Sequence, residues 1–154
     1  MTPNQKAFLD MIALSEIGKP LLDISDNGYN VIVGSTPSNP HLFDSYADHP
    51  NVLVDLGHGL KSTAAGRYQI LYRWWEPYKK MLGLPDFSPE SQDKVALQQI
   101  KERGAFDDIE NGNIESAITK CSNIWASLPG NDYGQHENNM QALVDAYNSF
   151  KEEV

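Results

Sequence analysis

The chain carries a single cysteine, Cys121, among its 154 residues. No intramolecular disulfide can form, which excludes a secreted scaffold stapled by disulfides and makes folding in a reducing compartment the expectation. Long apolar runs are also missing near the start, where Asn4, Gln5, Lys6, Asp10 and Glu16 interrupt the stretch from Met1 to Gly18. Neither a signal peptide nor a membrane span is expected there, and no membrane insertion. Cations are scarce: 12 Lys and Arg stand against 21 Asp and Glu, for a formal net charge of −9. Nucleic-acid binding needs clustered cations to neutralise phosphates, so it is excluded. His41, His49, His58 and His136 lack any metal-ligand spacing such as His-Glu-x-x-His. No metal, no cofactor and no zinc-dependent amidase or peptidase chemistry is expected. Repeats, low-complexity tracts and linkers are absent.

Hydrophobic residues make up 40% of the chain, with three Trp, seven Tyr and five Phe, enough for one globular domain spanning 1–154. Thr2-Pro3 reads as an N-cap and first helical position, followed by apolar residues at helical spacing to Glu16. Gly18 to Asn27 is polar and rich in turn formers, and reads as a loop. Tyr29 to Val33, the turn-forming Ser35 to Pro40, and Leu42-Phe43 predict a small hairpin, with Val52 to Leu56 as a third short strand. Tyr68 to Trp75 reads as a helix that Pro77 breaks or restarts. Ser88-Pro89-Glu90 opens a helix ending at Gly104, and Gly112-Asn113 separates a short helical turn from a helix running toward Trp125. Met140, Leu143, Val144 and Tyr147 mark an amphipathic last helix. The predicted class is α+β: a small β lobe inserted after the first helix, a mostly helical second lobe, and a cleft between them.

Phe8, Ile12 and Glu16 are spaced to share one helical face, which puts a carboxyl at the end of an apolar stripe. Apolar surroundings disfavour the charged carboxylate and raise its pKa toward the range of a general acid near neutrality; the competing reading is a solvated terminal Glu. Cys121, within a helical pattern, reads as a small buried hydrophobe rather than a nucleophile. Trp74, Trp75 and Trp125 read as mostly core, with the alternative that one of them lines a sugar subsite.

Four segments carry a further signal: Ala7 to Glu16 (AFLDMIALSE), Gly28 to Gly34 (GYNVIVG), Lys61 to Gln69 (KSTAAGRYQ) and Cys121 to Gly130 (CSNIWASLPG). In this order, and spanning nearly the whole chain, they closely resemble the phage lambda endolysin family. That resemblance implies a lysozyme-like fold and lytic transglycosylase activity, with the Glu of the family's Ser-Glu-Gly motif falling on Glu16. Three positions depart from the family pattern: Ile17 replaces the motif glycine, Leu14 a Trp, and Asn27 a His. Asp48, His49 and Pro50 keep a family segment, although an acid before them has shifted by one place.

The resemblance places Ser62, Thr63, Tyr68 and Gln69 beside the substrate, where hydroxyls and amides hold sugars, against a competing reading of capping and packing. It adds Tyr133 and Gln135 on the glycine-punctuated loop after Gly130. The implied substrate is the β-1,4 bond between N-acetylmuramic acid and N-acetylglucosamine in peptidoglycan, cleaved to a 1,6-anhydro product. With no signal peptide expected, a wall substrate requires a separate permeabilising protein to admit the chain from the host bacterial cytoplasm, and a monomer is the default expectation. Two alternatives stay open. One is an inverting muramidase with Asp26 as second carboxylate. The other is a catalytically impaired wall-binding protein, which the departures and the acidic charge suggest.

Overall fold

The chain enters its first helix through a reciprocal cap. Gln5 N donates to Thr2 Oγ1 at 3.1 Å, and Thr2 N donates to Gln5 Oε1 at 3.1 Å, satisfying two amides that the helix end leaves without partners. The helix, α1 (Pro3–Glu16), follows with Pro3 in its first turn. A computed structural model describes residues 1–130 and 137–153. It divides the chain into two compact units, Met1–Glu16 with Ala96–Val154, and Ile17–Val95.

In the first unit α1 buries Ala7, Phe8, Leu9, Met11, Ile12 and Ala13. Burial thus extends beyond the single expected stripe, as befits a core helix. Downstream lie α5 (Phe106–Glu110), α6 (Ile114–Cys121) and α7 (Met140–Glu152), with α1 packed on α7 and α5 and α6 packed on both of those. The last helix contains the expected Met140, Leu143, Val144 and Tyr147, and buries Leu143 and Tyr147. Its cap was not anticipated: Asn139 Oδ1 accepts from Gln141 N and Ala142 N, the N-cap geometry that suits Asn. The helix expected to run toward Trp125 stops at Cys121. Ser122 Oγ donates to the Thr119 carbonyl at 2.8 Å, and that local bond competes with helix continuation. Trp125 and Leu128 are buried in the turns that follow.

The second unit departs further from expectation. Lys19–Ile24, read as loop, is a short helix, α2. Pro20 sits in its first turn, where no amide is required, and Lys19 pairs with Asp23 at 3.0 Å along one face. The hairpin exists as single antiparallel bridges rather than long strands: Val31 faces Leu42, and Ile32 N donates to His41 O at 2.9 Å. The strand expected at Val52 to Leu56 shortens to β1 (Val54–Asp55), which pairs antiparallel with an unanticipated β2 (Lys61–Ser62), Val54 opposite Ser62. Helix α3 spans Tyr72–Leu82, starting after Tyr68 and carrying Pro77 inside it without a break. Residues 66–69 form a turn instead, closed by the Ala65–Ile70 bridge. Helix α4 (Pro89–Glu102) starts where predicted and contributes residues to both units. Trp75 and Phe87 meet edge to face at 4.8 Å in the core of the second unit. The class is α+β, and among the described residues no helix is long and apolar enough to cross a membrane.

Candidate active site

Glu16 is the last residue of α1. Its side chain keeps partial access to solvent, yet burial raises its pKa to about 7, and the Ser127 hydroxyl pulls it back only in part. A carboxyl with that midpoint exists in both protonation states near neutrality, so it can give a proton and take one back. Polar groups of the same unit frame it. Ser15 Oγ lies 2.7 Å from Ser127 Oγ, and Asn138 Nδ2 donates to Ser15 Oγ at 2.8 Å and to Ser15 O at 3.2 Å. Asn138 N also donates to Ser127 O at 2.8 Å. Neither Ser127 nor Asn138 was anticipated as part of the site. Ser127 sits inside one of the family-like segments, as a polar residue between Trp125-Ala126 and Leu128, and that was the available signal.

Asp26, Ser62, Thr63, Tyr68 and Gln69 belong to the second unit. Asp26 is exposed and accepts from the Tyr46 hydroxyl at 2.6 Å. Ser62 Oγ accepts from Ala64 N at 3.1 Å, and Thr63 Oγ1 accepts from Tyr72 N at 3.0 Å. Thr63 thereby supplies a partner for the first amide of α3, the capping role weighed against sugar binding, whereas Ser62 closes a local turn onto the Ala64 amide. Gln69 is half-buried at a φ of 50°, its Nε2 donating to Gly66 O at 2.8 Å and Val31 O at 3.3 Å. Tyr68 is 1% exposed. Its hydroxyl donates to Asp93 at 2.6 Å and accepts from Arg67 Nη1 at 3.0 Å, and burial raises its pKa far above the tyrosine range. Tyr68 therefore builds the core rather than a ligand surface. Tyr133, Gln135 and His136 lie outside the described residues.

Arg67 carries much of this unit's polar order. Its guanidinium lies over the rings of Tyr29 and Tyr68 at 5.3 and 5.6 Å, and its Nε donates to Asn27 O at 3.0 Å, beside Asp26. Sequence reasoning did not single it out. His49 is buried, Nε2 facing Ile70 O at 2.7 Å while Nδ1 accepts from Asn51 N at 2.9 Å. The Asn51 amide can only donate, so Nδ1 is bare and Nε2 carries the hydrogen; burial holds the ring below the usual histidine range. Asp48 accepts from Trp75 Nε1 at 2.8 Å. The Asp48-His49 pair is thus structural. Cys121 is fully buried, its thiol pushed up to about 12 by that burial. Trp75 and Trp125 are core as expected, but Trp74 is 49% exposed with the Arg73 guanidinium 5.6 Å from its ring.

Residues 6–154 match the Endolysin family. The chain belongs to the endolysin family. It is 57% identical over 142 residues to an endolysin of Escherichia phage lambda, covering 92% of this chain and 87% of that one. It is 51% identical over 151 residues to an endolysin of Escherichia phage P2, covering 94% and 90%. Among solved structures, a bacteriophage lambda lysozyme complexed with a chitohexasaccharide matches with a TM-score of 0.91 at 53% identity, over 97% of this chain and 95% of that one. A further lysozyme from bacteriophage lambda matches with a TM-score of 0.83 at 50% identity, over 99% and 94%. The resemblance seen in the four sequence segments is therefore a family relationship, and the fold of this phage-type endolysin is the lysozyme-like α+β fold.

Proposed function

We propose that the chain cleaves the β-1,4 bond between N-acetylmuramic acid and N-acetylglucosamine in peptidoglycan by lytic transglycosylation, with Glu16 as its only catalytic acid and base. The observation that carries this reading is the Glu16 carboxyl, held near a pKa of about 7 at the end of α1. It supports a two-stroke cycle. Glu16 first protonates the glycosidic oxygen as the bond to C1 of the muramic sugar breaks. The C6 hydroxyl of the same sugar then attacks C1, closing the 1,6-anhydro ring, and its proton returns to the Glu16 carboxylate. Intramolecular attack reaches effective molarities of ~10⁵ M or more, so no activated water is needed. The glycan-bound relative named above supports a saccharide substrate.

Ser62, Thr63 and Gln69, with Tyr133 and Gln135, are the proposed sugar-contacting residues, and Tyr68 supports the turn that carries Gln69. On this reading residues 1–154 work as one monomeric catalytic domain. The protein waits in the host cytoplasm until a separate membrane-permeabilising protein admits it to the wall. Digestion of purified peptidoglycan followed by mass spectrometry tests the mechanism. Muropeptides lighter by one water than their hydrated counterparts are expected, together with less than about tenfold loss on Asp26→Asn. Reducing ends throughout, with Asp26→Asn nearly inactive, would establish an inverting hydrolase in its place.

A further inference from the structure

We propose that the exposed stripe of α3 is a second contact for the wall polymer, laying Trp74 against the sugars of a peptidoglycan strand and setting Arg73 and Lys80 against the carboxylates of its stem peptides. The inference rests on the reading of peptidoglycan as the substrate. It concerns residues outside the acid and the sugar-contacting set named above.

The surface follows from the period of α3. Trp75 and Tyr78 turn inward and are buried, with Trp75 packed on Phe87. Helical spacing then sends Arg73, Trp74, Pro77, Lys80 and Met81 to one face, and all five are exposed. Two columns run side by side within this stripe. Arg73 and Lys80 stand seven residues apart and form a cationic column, and Trp74 and Met81 repeat the interval one position on as an apolar column. Seven residues of helix cover roughly 10.5 Å, so a strand laid along α3 meets both members of each column. The apolar members are well presented, at 49% and 60% exposure. The columns join at Arg73, whose guanidinium lies 5.6 Å from the centroid of the Trp74 ring, which makes a planar cation and an aromatic surface into one recognition unit.

Charge decides the class of occupant. The chain carries −9 overall, yet this stripe holds two cations and no acid, with Glu76 half-buried at its flank. Among the described residues neither Arg73 nor Lys80 is in an ion pair, whereas Lys79 beside them holds Asp48 at 3.5 Å. Cations without carboxylate partners next to an exposed indole suit a polymer that combines apolar sugar faces with carboxylates: the sugars stack on the ring and the carboxylates accept charge-assisted hydrogen bonds. An anionic membrane suits the stripe less well. Interfacial binding sinks the apolar face of a helix into the acyl boundary, and in α3 that face, with Trp75 and Tyr78, is buried in the protein core. Net charge acts on approach from a distance, whereas this surface acts at contact.

Sedimentation with insoluble peptidoglycan sacculi tests the surface, using the full chain carrying Glu16→Gln so that the polymer stays intact. Retention is expected, with a Kd that rises about tenfold on Trp74→Ala and about tenfold on the double change Arg73→Gln with Lys80→Gln. Trp74→Phe should stay near the parent. These side chains are exposed, so each variant should melt at the parent's temperature. Amidation of the wall carboxylates should abolish the effect of the double change and leave that of Trp74→Ala. With Glu16 restored, the same variants should leave kcat/KM on short soluble glycan fragments of the wall unchanged; a matching fall there would put Trp74 in the catalytic cleft and overturn a second contact. Retention unaltered by either change overturns the surface, as does binding to phosphatidylglycerol vesicles without binding to sacculi. Absence of retention with wild-type cleavage intact overturns the surface alone. If retention depends on the stripe but the wild-type chain releases no muropeptides, the surface stands and the reading of the chain as a peptidoglycan-cleaving enzyme falls.

Discussion

Replacing Glu16 by Gln separates what this side chain does for chemistry from what it costs the fold. Gln keeps the outline of the side chain but cannot transfer a proton, so activity is expected to fall by ~10²–10⁴-fold, the usual worth of general acid–base catalysis. Stability should move the other way. Burial raises the folded-state pKa of Glu16 from 4.5 to about 7, so between those values the native state holds more protons than the unfolded chain and stability declines as pH rises. The penalty is complete above about pH 7 and absent well below 4.5. Thermal melts should therefore show Glu16→Gln more stable than wild type at alkaline pH and indistinguishable from it in acid. A variant no more stable at alkaline pH would remove the case for a strained acid. At this scale the helical period shared by Phe8, Ile12 and Glu16 put a carboxyl at the end of an apolar stripe, and it was the family resemblance that singled it out as the proposed acid. The sequence did not disclose Ser127 or Asn138, whose partner Ser15 lies 112 and 123 residues away; periodicity carries no information over such separations.

At the scale of elements, the start of α3 shows why one helix boundary was misread. Tyr68 to Trp75 has helical composition, but Gln69 is held at a φ of 50° by its own amide, bonded to Gly66 O and Val31 O. The bond to Val31 is long-range, and such tertiary contacts override local propensity. Helix α2 was missed for a different reason: Gly18, Pro20 and Asp23 read as turn formers, whereas Pro in a first turn is compatible with a helix. Helices α1 and α4 were legible because start signals and apolar spacing agree in each, and α7 from its apolar spacing alone. The turn that delays α3 depends on Gly66, whose φ is 86° and whose missing Cβ would lie 2.3 Å from Gln92 Oε1 and 2.9 Å from Gln92 Cδ. Gln92 has little room to retreat, since Oε1 accepts from Arg67 N at 3.0 Å while Nε2 donates to Phe87 O at 2.9 Å and Tyr29 O at 3.1 Å. Gly66→Ala therefore combines an unfavourable φ with the loss of a buried bond, and an equilibrium denaturation experiment should show a loss of roughly 2–4 kcal/mol. A loss under about 0.5 kcal/mol, the range of an ordinary surface change, would mean that this turn is not held as described.

Across the whole molecule, the family was readable from four segments because their spacing, order and content together are far more specific than any one residue. The charge is the property that fits a wall substrate least well. At −9, the chain meets a substrate whose own carboxylates are anionic, and long-range repulsion should slow encounter. Salt shortens that repulsion, from a screening length of about 30 Å at 0.01 M to about 10 Å at 0.1 M. Over this interval kcat/KM on purified peptidoglycan should rise, while kcat stays level because the chemical step follows encounter. An uncharged soluble glycan of the same linkage provides the control and should show no such rise. If kcat/KM on the wall polymer instead falls with added salt, attraction by a local cationic surface outweighs the net charge, and the 12 Lys and Arg residues become the place to look for it by charge reversal.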